Sequence, residues 1–372
     1  MTQAPAIPQI MRAVVLTGHG EIDKLVYHDD WPVPQPGPGE VLIRVHACGL
    51  NNTDVNTRTA WYSKSVTGQT TGGALESAGD NDATWGGAAI AFPRIQGADV
   101  AGTVVALGAG ANDALLGRRV LVDPWLRDWS APLDLDRCGY FGSECDGGFA
   151  DYTKVDQLQV HPIDSDLGDA ELATFATSYV TAENMLNRAK VGPGDRVLIP
   201  GASGGVGSAL VQLAKRRGAT AIAMCGDDKR DQVAEVGADA ILPRAPEDLK
   251  SALLAAIGRD SVTVVADVVG GACWPQLIDA LARGGRYTCA GAIAGPIVEM
   301  DLRTFYLRDL AFTGATIVPP GVFADLVGYI ARGEIKPLLA ASYPLEHLRD
   351  AQQAFIDKRH VGNFVVIMGA AP

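Results

Sequence analysis

Arg196 to Gly218, RVLIPGASGGVGSALVQLAKRRG, carries the strongest chemical signal in the chain. Arg196 to Pro200 reads as a buried strand. Gly201, Ala202, Ser203, Gly204, Gly205, Val206 and Gly207 make a turn of small residues, and Val206 to Arg217 reads as a helix with Val206, Leu210, Leu213 and Ala214 on its apolar face. Glycines let the backbone approach a pyrophosphate closely, and the first helical turn offers free N–H groups and a partial positive charge. Strand, glycine-rich turn, helix and a second strand from Ala219 to Met224 together point to a dinucleotide site; the competing reading is an ordinary βα turn. The second strand ends Ala223-Met224-Cys225-Gly226 with no carboxylate at its tip to hold a ribose 2′-hydroxyl. Lys229 and Arg230 follow and suit a 2′-phosphate, whereas Asp227 and Asp228 would accept from the ribose or cap the next helix. The balance favours NADPH, with NADH as the alternative and a solvated helix face as the bland account of Lys229 and Arg230. Gly270, Gly271 and Gly291 follow later strands and suit backbone lying close to a cofactor.

The elements that position this loop come in two styles. Met11 to Leu16, Val41 to Val45, Thr103 to Leu107, Arg119 to Val122 and Ala150 to Val155 are β-rich runs, with Pro- and Gly-dense turns such as Trp31 to Gly39 between them. The one short helical turn before about residue 165 is Thr53 to Arg58, where Asp54 and Arg58 are spaced as an i,i+4 ion pair. From Ala170 the rhythm changes to helix (Ala170 to Arg188), then strands at Arg196, Ala219, Ala240, Val262 and Gly285 alternating with helices, which is the pattern of a parallel sheet. Phe312 to Val318 reads as a last strand, Gly321 to Arg332 as an amphipathic helix and Val361 to Met368 as a closing strand. Residues 63–93 are dense in Gly, Thr, Ser and Ala without periodicity, and read as a surface excursion over a pocket. Residues 1–10 read as an unstructured extension or an upstream start.

Composition sets limits. At 372 residues the prior is two domains. The net charge of −12 argues against general nucleic-acid binding, since phosphates would be repelled. No apolar run approaches the ~20 residues a membrane span needs, and no secretory signal is present at the N-terminus, so a cytoplasmic protein is expected. Six cysteines in so long a chain make no disulfide framework and suit a reducing compartment. No Ser–His–Asp or Cys–His arrangement emerges; His19, His28, His161, His347 and His360 are scattered and read as structural.

With Pro36-Gly37-Pro38-Gly39-Glu40-Val41-Leu42-Ile43, Gly49-Leu50-Asn51-Asn52-Thr53-Asp54 followed by Arg58 and Tyr62, Gly97-Ala98-Asp99-Val100-Ala101-Gly102, Asp146 to Tyr152, Gly201 to Gly207, Asp267 to Gly271 and His360 to Asn363 in this order, the chain resembles the medium-chain dehydrogenase/reductase superfamily, and within it the zinc-independent quinone oxidoreductase and enoyl reductase branch. The resemblance covers nearly the whole chain except 1–10 and roughly 63–93. It implies an α/β protein with a GroES-like β-rich catalytic domain from both chain ends (1–163 and 319–372) around a Rossmann doubly wound parallel-sheet domain (164–318).

The zinc members of the superfamily hold catalytic zinc with Cys, His and Cys; the matching positions here are Asn51, Ala98 and a residue near Thr177. The structural lobe of those enzymes needs four cysteines, and only Cys138 and Cys145 lie in that region. No zinc is therefore expected. The resemblance puts Asn51 at the nicotinamide end of the cleft, where its amide would hold a substrate carbonyl or the cofactor carboxamide; a turn asparagine is the alternative. It makes Tyr62 a hydrogen-bond donor at the substrate mouth, or an aromatic lid, and sets Thr181 against the nicotinamide face. Asn363 stands where relatives often carry lysine. Asn51, Tyr62 and Thr181 are thus the catalytic candidates. The activity implied is metal-free hydride transfer from NADPH to a quinone or an α,β-unsaturated carbonyl, in a homodimer joined through the strand around Phe312 to Val318. The alternatives are a zinc-type alcohol dehydrogenase with an atypical site and a non-catalytic nicotinamide-binding protein, which metal content and turnover would separate from the leading reading.

Overall fold

The computed structural model describes residues 7–71, 73–75 and 90–369. Six parallel strands form one sheet in the order Ala240–Pro243, Thr220–Cys225, Arg196–Pro200, Val262–Asp267, Leu281–Cys289, Ala311–Gly314. Numbered along the chain this is 3-2-1-4-5-6, so the order reverses between Arg196–Pro200 and Val262–Asp267. In a doubly wound sheet that reversal opens a crevice at the carboxyl ends of the two central strands. Val197, Leu198, Ile199, Ile222, Val264 and Val265 are fully buried because helices cover both faces.

The β-rich sheet runs Val160–Pro162, Arg119–Val122, Asp99–Leu107, Glu40–Leu50, Asn363–Ile367, Leu339–Pro344, with Tyr152–Asp156 also paired to Glu40–Leu50. The last strand, Asn363–Ile367, lies antiparallel to Glu40–Leu50, so the two ends of the chain close one sheet. Leu42, Ile43, Phe141, Phe149 and Val366 form its core. A second cluster joins the parallel sheet to the β-rich part through Trp125, Tyr140, Phe175 and Tyr179. The α/β class with GroES-like and Rossmann-like sheets is therefore the observed architecture.

Several local expectations need correction. The single helix expected over Ala170 to Arg188 is two, Asp169–Leu172 and Ala176–Arg188. Thr174 Oγ1 donates to Glu171 O, and the Thr177 N–H donates to Asp99 Oδ1 instead of a carbonyl one turn back, so the second helix starts anew. The strand expected at Phe312 to Val318 is the shorter Ala311–Gly314. The helices Leu302–Leu307 and Leu348–Ile356 and the strand Leu25–Pro32 went unread, the last because it carries His28, Asp29 and Asp30 and runs into the Pro- and Gly-dense turn 31–39; Pro32 sits at its end, where a missing N–H costs nothing.

Residues 72 and 76–89 of the excursion, and residues 1–6, lie outside the described residues. Of its described part, Thr70 N–H donates to Ile293 O beyond the strand Leu281–Cys289, and Trp61 Nε1 donates to Gly68 O. The stretch thus begins by crossing from the β-rich side to the carboxyl end of the parallel sheet. All six cysteines are free, and no helix among the described residues is long and apolar enough to cross a membrane.

Candidate active site

The glycine-rich turn joins Arg196–Pro200 to the helix Gly205–Arg216. No side chain caps this helix at Gly204, so its first N–H groups stay open for an anion. Close packing requires two of its glycines. A Cβ on Gly207 would lie 2.2 Å from Gly201 O, and one on Gly205 would lie 2.3 Å from Asn363 Oδ1 and 2.4 Å from Ser178 Oγ. The closing strand clamps the turn: Gly362 N–H donates to Ser203 O at 3.0 Å and Ser178 Oγ donates to Asn363 Oδ1 at 2.9 Å. Asn363 Nδ2 is buried there with no partner among the described residues. An open helix start, a backbone cradle and an orphaned buried donor fit a dinucleotide. Across the crevice, Asp267 accepts from Val269 N–H at 2.7 Å, from Gly270 N–H and from Tyr287 Oη at 2.9 Å, which fixes the turn at Gly270. Gly291 packs on the Val268 backbone.

At the tip of Thr220–Cys225, Gly226 leads into a short 3-10 turn with Asp227 and Asp228 exposed. Lys229 is not on a solvated face: its Nζ donates to Lys358 O across the crevice. Lys358 Nζ in turn donates to Asn52 Oδ1 at 2.7 Å and lies 3.8 Å over the Phe355 ring. Burial, then the charge of Lys229, pushes Lys358 down to about 7. Burial also lowers Lys229, with repulsion from Arg244 adding to it. Arg230 is exposed on the helix Arg230–Val236. Sequence reasoning missed Arg244 and Lys358, the latter 129 residues along the chain from Lys229.

The substrate side is built on the start of the helix Asn52–Arg58. Asn51 is its N-cap, and Asp54 Oδ2 accepts from the Asn51 N–H at 2.8 Å. Asp54 Oδ1 accepts from Gly97 N–H at 3.2 Å, which ties this helix to the loop before Asp99–Leu107. The expected Asp54–Arg58 ion pair does not form. Buried Arg58 instead donates to Gln352 Oε1 at 3.0 Å and to Gly20 O at 2.8 Å, because its side chain leaves the face that Asp54 occupies. Tyr62, just past this helix, accepts from Asn56 Nδ2 at 3.5 Å and stands edge-on to Trp61. Burial raises its phenol. Thr181 is half-buried one turn beyond Thr177 on Ala176–Arg188, on the same helix face.

Between these elements lies a buried polar cluster. Thr177 Oγ1 donates to Asp99 Oδ1, the Thr177 N–H donates to the same oxygen at 2.9 Å, and Tyr140 Oη lies 2.6 Å from Thr177 Oγ1. Burial pushes Asp54 up to about 7 and Asp99 up to about 6, each against hydrogen bonds that favour the charged form. Asn51 Nδ2 faces Asp99, and Thr53 Oγ1 faces the Tyr140 phenol, but neither closes a bond. Tyr140 is the member sequence reasoning missed. Nothing in its local pattern links it to Thr177, 37 residues on.

The residues that the resemblance sets at or near the three metal positions of the zinc relatives, Asn51, Ala98 and Thr177, present an amide, a methyl group and a hydroxyl. Among the described residues no group of three or more His, Cys, Asp and Glu side chains could hold a metal ion. Cys138 and Cys145 bring two thiols to the lobe, both pushed up by burial and Cys145 to about 12, and two sulfurs do not complete a tetrahedral site. Among the described residues, the groups at these positions do not make the Cys and His donor set that zinc takes.

Residues 37–165 match the alcohol dehydrogenase GroES-like domain, and residues 205–332 match the zinc-binding dehydrogenase domain. Human quinone oxidoreductase is 24% identical over 356 residues, with 94% of each chain covered. A Sulfolobus acidocaldarius NAD-dependent alcohol dehydrogenase is 26% identical, covering 92% of this chain and 95% of its own. A solved structure of a candidate alcohol dehydrogenase from Sinorhizobium meliloti is 43% identical, covers 97% of this chain and 98% of its own, and superposes with a TM-score of 0.87. With both domain models matched in order, and a 43% identical relative aligned end to end, the chain belongs to the medium-chain dehydrogenase/reductase superfamily of oxidoreductases.

Proposed function

We propose that the protein is a metal-free reductase that moves hydride from NADPH to a quinone or to the β-carbon of an α,β-unsaturated carbonyl. The observation that carries this reading is the substitution of hydrogen-bonding groups for metal ligands beside an intact glycine-rich turn: Asn51, Tyr140 and Thr177, with Asp99 accepting behind Thr177, stand where a metal would polarise an alcohol. Oxidising a simple alcohol needs a strong Lewis acid or base to form the alkoxide. A quinone or enone accepts hydride into a delocalised oxyanion, for which positioned donors suffice. The nicotinamide supplies the hydride when bound. The turn 201–207 and the first N–H groups of Gly205–Arg216 would seat its pyrophosphate. Gly226, Gly270 and Gly291 would let backbone approach, and Asn51, Tyr62 and Thr181 would frame the ring and the acceptor.

The choice of NADPH over NADH rests on Lys229, Lys358 and Arg244, which crowd like charges at the strand tip where a 2′-phosphate would relieve their repulsion; Arg230 stands beside them. The cofactor side in this reading is residues 164–318 and the substrate side 1–163 with 319–372. Dimerisation through the edge strand Ala311–Gly314 is supported by the neighbouring exposed Leu302, Tyr306 and Leu307. The test is NADPH consumption by chelator-treated protein across quinones and enones. Turnover independent of added zinc is the expected result; activity that vanishes on chelation and returns with zinc would replace this reading with the alcohol dehydrogenase one.

A further inference from the structure

Resting on that reading, we propose that Tyr140 is the proton donor to the acceptor oxygen, and that Thr177 and Asp99 form a proton relay behind it. Three observations converge. The Tyr140 phenol, the Thr177 hydroxyl and the Asp99 carboxyl make one continuous hydrogen-bonded line, with 2.6 Å at its first link. Each member is anchored by another element. Tyr140 lies on the strand Gly139–Tyr140 paired to Trp125–Leu126, its N–H donates to Glu144 Oε2 at 2.7 Å, and its ring stands edge-on to Trp125 at 5.4 Å. Thr177 is held by its backbone bond to Asp99, and Asp99 by the strand Asp99–Leu107. Finally, Asn51 Nδ2 and Thr53 Oγ1 are buried beside this line, turned toward Asp99 and Tyr140 without reaching full hydrogen-bond geometry. Buried donors are rarely left open without a purpose. An acceptor oxygen seated between them would meet the phenol.

The step balances as a pure proton transfer. When hydride has arrived at carbon, the acceptor oxygen holds an electron pair and takes the phenolic proton of Tyr140. Tyr140 Oη takes the Thr177 hydroxyl proton as that hydroxyl turns from Asp99 Oδ1 to the phenol, and Thr177 Oγ1 takes the proton that the Asp99 carboxyl carries below about pH 6. One O–H bond forms on the product, Asp99 is left as a carboxylate, and a solvent proton restores it. The titratable groups facing this line, Cys48 from Glu40–Leu50 and Asp54 from Asn52–Arg58, are acidic and disfavour further negative charge. Burial first, then the charges of Asp99 and Asp54, raises the Tyr140 phenol, and burial pushes the Asp99 carboxyl up to about 6.

The experiment compares wild type with Tyr140→Phe, Thr177→Val and Thr177→Ser in chelator-treated protein, measuring kcat, KM, NADPH affinity and thermal melt for each. A positioned general acid contributes about 10²–10⁴ in rate, so Tyr140→Phe and Thr177→Val should lose about 10²-fold or more in kcat with NADPH affinity within about twofold. Thr177→Ser keeps the hydroxyl and should retain kcat within a few fold. Tyr140→Phe with wild-type kcat, or Thr177→Ser as slow as Thr177→Val, overturns the relay while the reductase reading stands. If Tyr140→Phe melts early, the two Thr177 variants decide alone. Wild type that binds NADPH but reduces nothing in the panel overturns the reductase reading and the relay with it.

Discussion

Two alanine substitutions in the glycine-rich turn should fail for different reasons. At Gly207 a Cβ would sit 2.2 Å from Gly201 O and 2.7 Å from Ala202 Cα, both backbone atoms. Ordinary contact begins near 3.4 Å, so the turn or the helix must move by about 1.2 Å. Overpacking of that kind costs about 1–3 kcal/mol, and the displaced N–H groups should weaken cofactor binding about tenfold or more, since 1.4 kcal/mol is one decade. Gly204 differs. Its φ is −80°, which any residue adopts, and a Cβ there meets only Gly201 O at 3.6 Å. Gly204→Ala should therefore cost at most about 1 kcal/mol of stability, set by alanine's poor N-cap preference. Its Cβ would nonetheless enter the space of a pyrophosphate lying on the helix start. Thermal melts and NADPH fluorescence titrations should show Gly207→Ala losing both stability and affinity, and Gly204→Ala losing mainly affinity. Gly204→Ala with unchanged NADPH affinity would refute the placement of the pyrophosphate over this helix, and Gly207→Ala with an unchanged melt would refute the packing argument.

Lys229→Ala should weaken NADPH by about tenfold, the scale of one charge-assisted bond, while NADH affinity stays the same; equal losses for both cofactors would remove Lys229 from the 2′-phosphate site. Asp54 predicts a pH signature. Its carboxyl rises from 3.8 unfolded to about 7 folded, so the native state binds the extra proton and stability contributed by this group falls as pH climbs from about 4 to about 7. Denaturant titrations at several pH values should show Asp54→Asn gaining on wild type across that window, and a gap independent of pH would contradict the assignment.

Much of the architecture is legible in the amino-acid order because its causes are local. Arg196–Pro200 is where the apolar run VLI ends at glycine, and the strand–helix alternation after it dictates a parallel sheet. The glycine-rich turn 201–207 is read the same way, since its shape is set by the backbone of seven consecutive residues. Asn51, Ala98 and Thr177 can be picked out as non-ligands one position at a time. What they do together is decided only in three dimensions. Thr177 starts a helix because Asp99, 78 residues earlier, accepts its N–H, and no helical period records that bond. Tyr140 reaches Thr177 from a two-residue strand too short to leave a pattern. Arg58 abandons Asp54 for Gln352, 294 residues away. Lys229 meets Lys358 because the closing segment folds back against the turn. Propensity and periodicity act over a few residues, so the sequence by itself determines the elements and the glycine-rich turn. Desolvation and hydrogen-bond closure act through space, so the polar cluster and its displaced carboxyls exist only once the two sheets have packed.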